Sequence, residues 1–322
     1  MLRKGFLPGC SASMQAVLSI LAIVFLFVLI GRLAGVVVSR ARALGTRLGI
    51  GTFFLGVLLG LFTSAPEATI AINAAAAQAP SLSSGNLIGG TAVLFGLIAA
   101  LLAIRAKSLP VHEGISGIAA AAVYLLAPVL LALDGSLSPF DGLVLGAGYF
   151  GVLILVYGAS RRQGFALPHT HLGNGSSRDI LILIAAVAAI ALCAGAVVRL
   201  TVPIAVAFGI PELVIGIIAY SLGTNLPELA IAARASNRPD SLPVATLLGS
   251  SLANPFMLGL LALGVEKPLT FDGGFMPVAV AYCAIVILFF VFARSGRRFV
   301  RAEGVLLLAT YVIFALLAAN TL

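Results

Sequence analysis

The sequence predicts an all-α integral membrane protein in which ten transmembrane helices form two inverted five-helix repeats. The 322 residues have a mean hydropathy of +1.16 and only 9% of them are charged, so polar side chains are too few to cover a soluble globule of this size. The apolar stretches are continuous, as in helices, and do not alternate as barrel strands would. A Pro-Glu pair occurs twice at matched places in them, which indicates a repeat.

Ten apolar stretches are long enough to cross roughly 30 Å of hydrocarbon as helices. The first contains Arg32 and ends without a small-residue cleavage site, so we interpret it as a mature helix rather than a signal peptide. The stretches lie near residues 14–39, 50–77, 84–104, 114–133, 140–159, 179–200, 209–234, 242–264, 274–293 and 302–320.

The net charge of +8 is explained by orientation in the membrane rather than by a nucleic-acid partner. Loops after the odd-numbered helices hold 14 Lys or Arg, and the opposite side holds four. The positive-inside rule therefore places both termini outside, and we expect a multi-pass protein of the bacterial inner (plasma) membrane. The three cysteines, Cys10, Cys193 and Cys283, suggest neither a disulfide framework nor a metal site, and no cofactor is expected.

Each half of the chain holds five of the predicted helices. We place the first repeat at 1–159, a cytoplasmic linker at 160–178 and the second repeat at 179–322. The repeated elements, near 49–103 and 209–264, contain "GIGTFFLGVLLGLFTSAPE" and "GIPELVIGIIAYSLGTNLPE". Because five is an odd number, the second repeat enters the membrane from the opposite side, which makes the repeats inverted.

Glu67 and Glu228 are the only acids predicted in the middle of membrane helices. An ionised carboxylate in hydrocarbon costs several kcal/mol unless it is neutralised, paired or bound to a cation. The proline before each acid should unwind residues 63–65 and 224–226 and free carbonyl oxygens. Two carboxylates with such oxygens suit Ca²⁺ better than Mg²⁺. One Pro-Glu pair alone is also typical of a simple helix kink, whereas two matched pairs favour a cation site.

A polar stripe follows the second Pro-Glu element. Thr246, Ser250 and Asn254 recur at i, i+4 and i+8, which places them on one helix face. Asn86 starts the matched segment of the first repeat, where the stripe then fades. We favour the interpretation that both segments line the cation site; hydrogen bonding between packed helices is the alternative.

Each Pro-Glu element and the segment that follows it form a sequence motif. The pairs "FTSAPE" with "GNLIGGTAVL" and "GTNLPE" with "ATLLGSSLAN" resemble the two alpha-repeats of the cation/Ca²⁺ exchanger superfamily, specifically its sodium/calcium exchanger branch. The resemblance implies a secondary antiporter rather than an enzyme, with Glu67 and Glu228 as central ligands. It also implies that Thr63 and Thr224 contribute backbone carbonyls, that Ser64 and Ser250 contribute hydroxyls, and that Asn254 lies near the central site.

Several positions depart from the family pattern. Asn225 and Gly90 each stand where the motif has Ser, Leu94 stands where it has Asn, and Phe62 replaces a Gly. Each lost oxygen weakens a Na⁺ site more than it weakens a Ca²⁺ site built on two carboxylates. The departures therefore leave the coupling ion open between Na⁺ and H⁺, and they leave a non-transporting homologue as a further alternative.

The expected function is exchange of Ca²⁺, or a related divalent cation, for Na⁺ by alternating access, with the long first and sixth helices sliding as a gate. The expected partners are these ions and the lipid bilayer, and we expect a monomer. An intramembrane enzyme would need other groups, and the only histidines, His112, His169 and His171, lie in predicted cytoplasmic loops.

Overall fold

A computed structural model of the chain describes residues 12–47, 61, 64–106, 108–110, 115–161, 175–226, 228–229, 242–271, 274–295 and 298–320. Ten helical regions account for most of them, and two contain a π-helical segment. The helices are α1 (Ala12–Arg47), α2 (Ala65–Ala76), α3 (Pro80–Ala92, the π segment Val93–Ala99, and Ala100–Ala106), α4 (Ile115–Leu131), α5 (Pro139–Arg161), α6 (Gly175–Phe208), α7 (Glu212–Ile215, the π segment Gly216–Tyr220, and Ser221–Thr224), α8 (Leu242–Gly264), α9 (Phe275–Ser295) and α10 (Arg301–Ala319).

The helices fall into two groups by the length of their apolar stretches. Seven of the described helices are long and apolar enough to cross a membrane, and α4 and α7 are shorter apolar helices. The described part of α2 covers only the second half of its predicted span, 50–77. The all-helical membrane fold predicted from the sequence is confirmed at this level.

The helices α1 and α6 are longer than predicted. Their apolar cores fall where expected, but α1 continues to Arg47 and α6 runs from Gly175 to Phe208. The first residues of α6, from Gly175 on, therefore lie within the segment 160–178 that the sequence predicts as a linker. In α1 the added residues include Arg40 and Arg47, which a span estimated from hydropathy excludes. The added residues 201–208 of α6 are themselves apolar, so the predicted span was too short there.

Two short antiparallel strand pairs join loops of the two halves. Strand β1 (Ser108–Pro110), between α3 and α4, pairs with β4 (Arg298–Val300), between α9 and α10. Strand β2 (Ser136–Leu137), between α4 and α5, pairs with β3 (Leu269–Thr270), between α8 and α9. If all ten helices cross the membrane, the two loops joined by one strand pair lie on the same side of it, and the two strand pairs lie on opposite sides.

The contacts of α5 and α10 repeat one pattern. α5 packs against α8 and α10 packs against α3, so each helix contacts the other half of the chain. In α5, Tyr149 stacks on Phe256 with ring centroids 4.6 Å apart. In α10, Tyr311 lies directly against Gly96. Gly142 and Gly304, each seven residues before its tyrosine, lie against the partner helix, since a Cβ there would overlap the carbonyls of Gly259 and Ala100.

The helices α3 and α7 cross at glycines. A side chain at Gly85 would overlap the backbone of α7, and one at Gly216 would overlap the carbonyl of Leu82. Small residues permit such close approach of membrane helices. This crossing places the polar start of α3 beside the segment that leads to Glu228.

The π segment of α7 coincides with a length difference between the repeats. From Gly216 to Pro227 the second repeat has one residue more than the first has between Gly56 and Pro66. A π segment accommodates one extra residue within a helix. The segment Gly216–Tyr220 lies inside this interval and provides a place for the extra residue before the helix reaches Asn225.

Candidate cation site

Glu67 and Glu228 are both buried. Each residue is only 2% exposed. Glu67 lies in the first turn of α2, directly after Pro66, and Glu228 lies four residues beyond the end of α7. The carboxyl groups are close enough to interact electrostatically. The inverted repeats therefore bring the two acids together, as the sequence predicts.

The helix break before each acid has the same geometry in both repeats. Ser64 has φ −77° and ψ 9°, and Asn225 has φ −89° and ψ 11°. Their carbonyls accept hydrogen bonds from the backbone N–H groups of Ala68 and Leu229, both at 3.0 Å. In the second repeat the break is narrower than the predicted 224–226, because Thr224 and Leu226 are helical. In both repeats the carbonyl at the break is engaged in the helix beyond. Thr63 lies outside the described residues.

Hydroxyl groups surround both acids. Ser250 Oγ donates to Glu228 Oε1 at 3.2 Å, and Ser64 Oγ donates to the carbonyl of Ser250 at 3.5 Å. Thr224 Oγ1 donates to Asn86 Oδ1 at 3.3 Å and lies beside the Glu67 carboxyl group. Helices α2, α3, α7 and α8 therefore all contribute polar groups to one buried cluster.

Three asparagine amides complete the cluster. Asn225 Nδ2 donates to the carbonyl of Ser221 at 2.8 Å, and Asn254 Nδ2 donates to Thr91 Oγ1 at 3.1 Å. Asn86 accepts the bond from Thr224. All three are at most 3% exposed. Thr246 is buried one turn before Ser250 on α8, so the predicted stripe faces inward along its length.

Some oxygen atoms of the cluster have no hydrogen-bond partner among the described residues. These include Glu67 Oε2 and Asn225 Oδ1, both buried. Buried oxygens are normally satisfied, and an unsatisfied one in a native structure points to water, an ion or a functional role. No Lys or Arg is among the buried residues whose side chains the structure describes. A cation or protons would neutralise such a site.

Thr91 and Ser221 belong to the cluster but were not predicted from the sequence. Thr91 follows Asn86 by five residues, so it falls off the i, i+4 pattern that marks the polar stripe. Ser221 contributes its carbonyl, which no side-chain motif reports. The three histidines of the enzyme alternative lie outside the described residues.

Comparison with known proteins identifies the family. The sodium/calcium exchanger protein family matches residues 18–158 and 179–319, one segment in each half, which confirms the predicted resemblance and the two repeats. The sodium/calcium exchanger MaX1 of Methanosarcina acetivorans is 31% identical over 154 residues, 44% of this chain and 41% of that protein. The alignment thus spans less than half of MaX1.

Longer alignments come from two membrane proteins. The inner membrane protein YrbG of Escherichia coli is 26% identical over 308 residues, 86% of this chain and 89% of that protein. An uncharacterized membrane protein of Methanocaldococcus jannaschii is 25% identical over 283 residues, 86% of this chain and 90% of that protein.

Solved structures share the fold. A structure of the sodium-calcium exchanger NCX_Mj soaked with Na⁺ and Sr²⁺ has a TM-score of 0.69 at 24% identity, covering 92% of this chain and 97% of that one. The family match in both halves, the shared fold and the two buried acids all support the same family assignment. The chain belongs to the sodium/calcium exchanger protein family.

Proposed function

We propose that this protein is a secondary active antiporter that exchanges Ca²⁺, or a related divalent cation, for Na⁺ across the membrane. The observation that carries the proposal is the burial of Glu67 and Glu228 in one cluster of oxygen atoms. Two carboxylates with amide and hydroxyl oxygens provide the hard ligands that Ca²⁺ prefers. Ca²⁺ is the transported substrate here. The proposed site residues are the cluster residues Ser64, Glu67, Asn86, Thr224, Asn225, Glu228, Thr246, Ser250 and Asn254, together with Thr63, which is included by its place in the sequence motif.

Alternating access requires elements that move relative to the site. α1 and α6 pack along each other and both contact the Pro-Glu helices. The ring of Phe27 in α1 lies against Gly223 of α7, and Asn73 of α2 donates to the carbonyl of Ala191 in α6 at 3.5 Å. These contacts support a mechanism in which α1 and α6 slide together and expose the site to each side in turn.

Na⁺ is the proposed counter-ion because MaX1 and NCX_Mj are sodium/calcium exchangers by name. Coupling to H⁺ is the second candidate. Gly90, Leu94 and Asn225 remove hydroxyl or amide groups that the family motif has, and Glu67 Oε2 is left without a partner among the described residues. A carboxylate that releases Ca²⁺ can take up a proton instead.

We place the protein in a bacterial inner membrane with both termini outside. The Lys and Arg bias of the loops supports this orientation, and YrbG is an inner membrane protein by name. The proposed units are a first repeat at 1–159, a cytoplasmic linker at 160–178 and a second repeat at 179–322, acting as a monomer.

The test is ⁴⁵Ca²⁺ uptake into proteoliposomes that contain the purified protein. Uptake is driven in turn by an outward Na⁺ gradient and by an outward H⁺ gradient. Glu67→Gln and Glu228→Gln are measured beside the wild type, with Glu266→Gln as a control for an acid in a loop. We expect uptake under the Na⁺ gradient, its loss in both site variants and its retention in the control.

The other outcomes separate the alternatives. Uptake under the H⁺ gradient alone would assign proton coupling. Failure of both gradients in folded protein would contradict the antiporter and favour the non-transporting homologue. Activity that depends on the glutamates without any ion flux would favour an intramembrane enzyme.

A further inference from the structure

The central cluster is not symmetric, although the repeats are. Ser64 of the first repeat corresponds to Asn225 of the second, and Ser250 of the second corresponds to Gly90 of the first. The pair Ser64–Ser250 is in contact, with the Ser64 hydroxyl 3.5 Å from the Ser250 carbonyl. The repeat-related pair is Asn225–Gly90, so one half of the site has two hydroxyls where the other has an amide and no side chain.

Gly90 and Asn225 also fit each other in size. A Cβ at position 90 would lie 3.5 Å from Asn225 Nδ2 and 3.0 Å from Asn254 Nδ2. The space that a serine would fill is therefore bordered by two amide groups. A Cβ alone would crowd Asn254 and reach ordinary contact with Asn225, so the hydroxyl of a serine at position 90 would compete with these amides for the same space.

The two amides change the electrostatics of this half. Their N–H₂ groups carry positive partial charge and approach the same point, next to Gly90. Asn225 Nδ2 is held there by its bond to the Ser221 carbonyl, and Asn254 Nδ2 by its bond to Thr91. A small cation needs oxygen ligands and is repelled by converging N–H donors. The Ser64–Ser250 half offers two hydroxyls instead, whereas the Gly90–Asn225 half offers only the Asn225 Oδ1 atom beside these donors.

We propose that Gly90 and Asn225 form a matched pair that closes their half of the site to a monovalent cation. Na⁺ then binds beside the carboxylates only in the Ser64–Ser250 half. The inference rests on the proposed exchange of Ca²⁺ for Na⁺ and specifies it further: fewer Na⁺ ions are coupled to each Ca²⁺ than in a site with both hydroxyl pairs.

The experiment is a double-mutant cycle with two readouts. Gly90→Ser, Asn225→Ser and the double variant G90S/N225S are purified beside the wild type. The first readout is the thermal unfolding midpoint, Tm, as a function of Na⁺ concentration, which does not depend on transport. The second is the Hill coefficient for Na⁺ in Ca²⁺ exchange. The variant G90A/N225S is the control, since it fills the same space without the second hydroxyl.

We expect each single variant to lower Tm, because G90S crowds the amides and N225S leaves a void. The double variant should lower Tm by less than the sum of the single changes, since the two residues contact the same space. Its Hill coefficient for Na⁺ should rise by about one, as should the number of Na⁺ ions inferred from the Na⁺ dependence of Tm. G90A/N225S should recover Tm without either rise.

Two results would overturn the matched pair: additive changes in Tm, or a double variant with the Na⁺ response of the wild type. Absence of flux in the wild type would contradict the proposed exchange, but the Na⁺ dependence of Tm would still decide between a closed and an open half-site. Equal Na⁺ responses of G90S/N225S and G90A/N225S would also contradict the role of the hydroxyls.

Discussion

At the residue scale, two adjacent serines of α8 provide a direct test of the site. Ser250 donates to Glu228 Oε1, whereas Ser251 Oγ is buried with no hydrogen-bond partner among the described residues. A hydrogen bond to a charged group contributes about 1.5–3 kcal/mol. Ser250→Ala should therefore raise the KM for Ca²⁺ about tenfold or more, and Ser251→Ala should leave it nearly unchanged. Concentration-dependent ⁴⁵Ca²⁺ uptake measures both.

An equal rise of the KM for Ca²⁺ in both serine variants would show that the loss comes from altered packing of α8 and not from the hydrogen bond of Ser250 to Glu228. The two variants are matched in burial, because both side chains are buried and lie one residue apart on α8.

Single residues also show how far the site could be predicted. Glu67 and Glu228 stand out in the sequence because an acid within an apolar stretch has few structural explanations. The contacts of Asn225 with Ser221 and of Asn254 with Thr91 could not be predicted. They depend on how α3, α7 and α8 meet, and hydropathy does not report the rotation of one helix against another.

At the element scale, the crossing of α3 and α7 depends on glycine. A Cβ at Gly216 would overlap the carbonyl of Leu82 and the backbone of α3, and backbone cannot move aside as a flexible side chain can. Gly216→Ala should therefore destabilise the fold by about 1–3 kcal/mol or more and lower Tm. Gly146→Ala in α5 is the control, since nothing lies within 4 Å of its Cβ position. A control that lost as much stability would contradict the close crossing.

The ends of α1 and α6 provide a second prediction at this scale. Arg40 Nη1 lies 3.0 Å from Asp179 Oδ1, with the Arg40 side chain 41% exposed and that of Asp179 8% exposed. A double-mutant cycle of Arg40→Gln and Asp179→Asn, measured by thermal unfolding, should give a coupling of about 1 kcal/mol. Arg178→Gln, an exposed neighbour, is expected to have no coupling to Arg40. A coupling near zero would show that the pair does not join the two helices.

Element boundaries were predicted best where packing and hydropathy change at the same residue. The span of α8 was predicted as 242–264, and the helix is Leu242–Gly264. α1 extends beyond its apolar core into residues with several arginines, and the predicted span of α6 left out the apolar residues 201–208. The strands could not be predicted, because two or three residues show no alternation and their pairing joins loops far apart in sequence.

At the scale of the whole molecule, the strand pairs make the orientation testable. Loop residues Arg298 and Thr270 are exposed and belong to the two different strand pairs. The inverted arrangement places them on opposite sides of the membrane, and the positive-inside rule assigns Arg298 to the cytoplasm. Single cysteines at these positions, introduced after Cys10, Cys193 and Cys283 are changed to Ser, report their side by reaction with a membrane-impermeant maleimide.

In intact cells, Thr270→Cys should react with the impermeant reagent, and Arg298→Cys should react only after the membrane is opened. Ser136→Cys, on the partner strand of Thr270, should behave like Thr270→Cys, which makes the result independent of a single loop. Reaction of all three positions from one side would contradict an odd number of helices in each repeat. Since five helices per repeat are what bring Glu67 and Glu228 to one site from opposite directions, that result would also remove the geometric basis of alternating access.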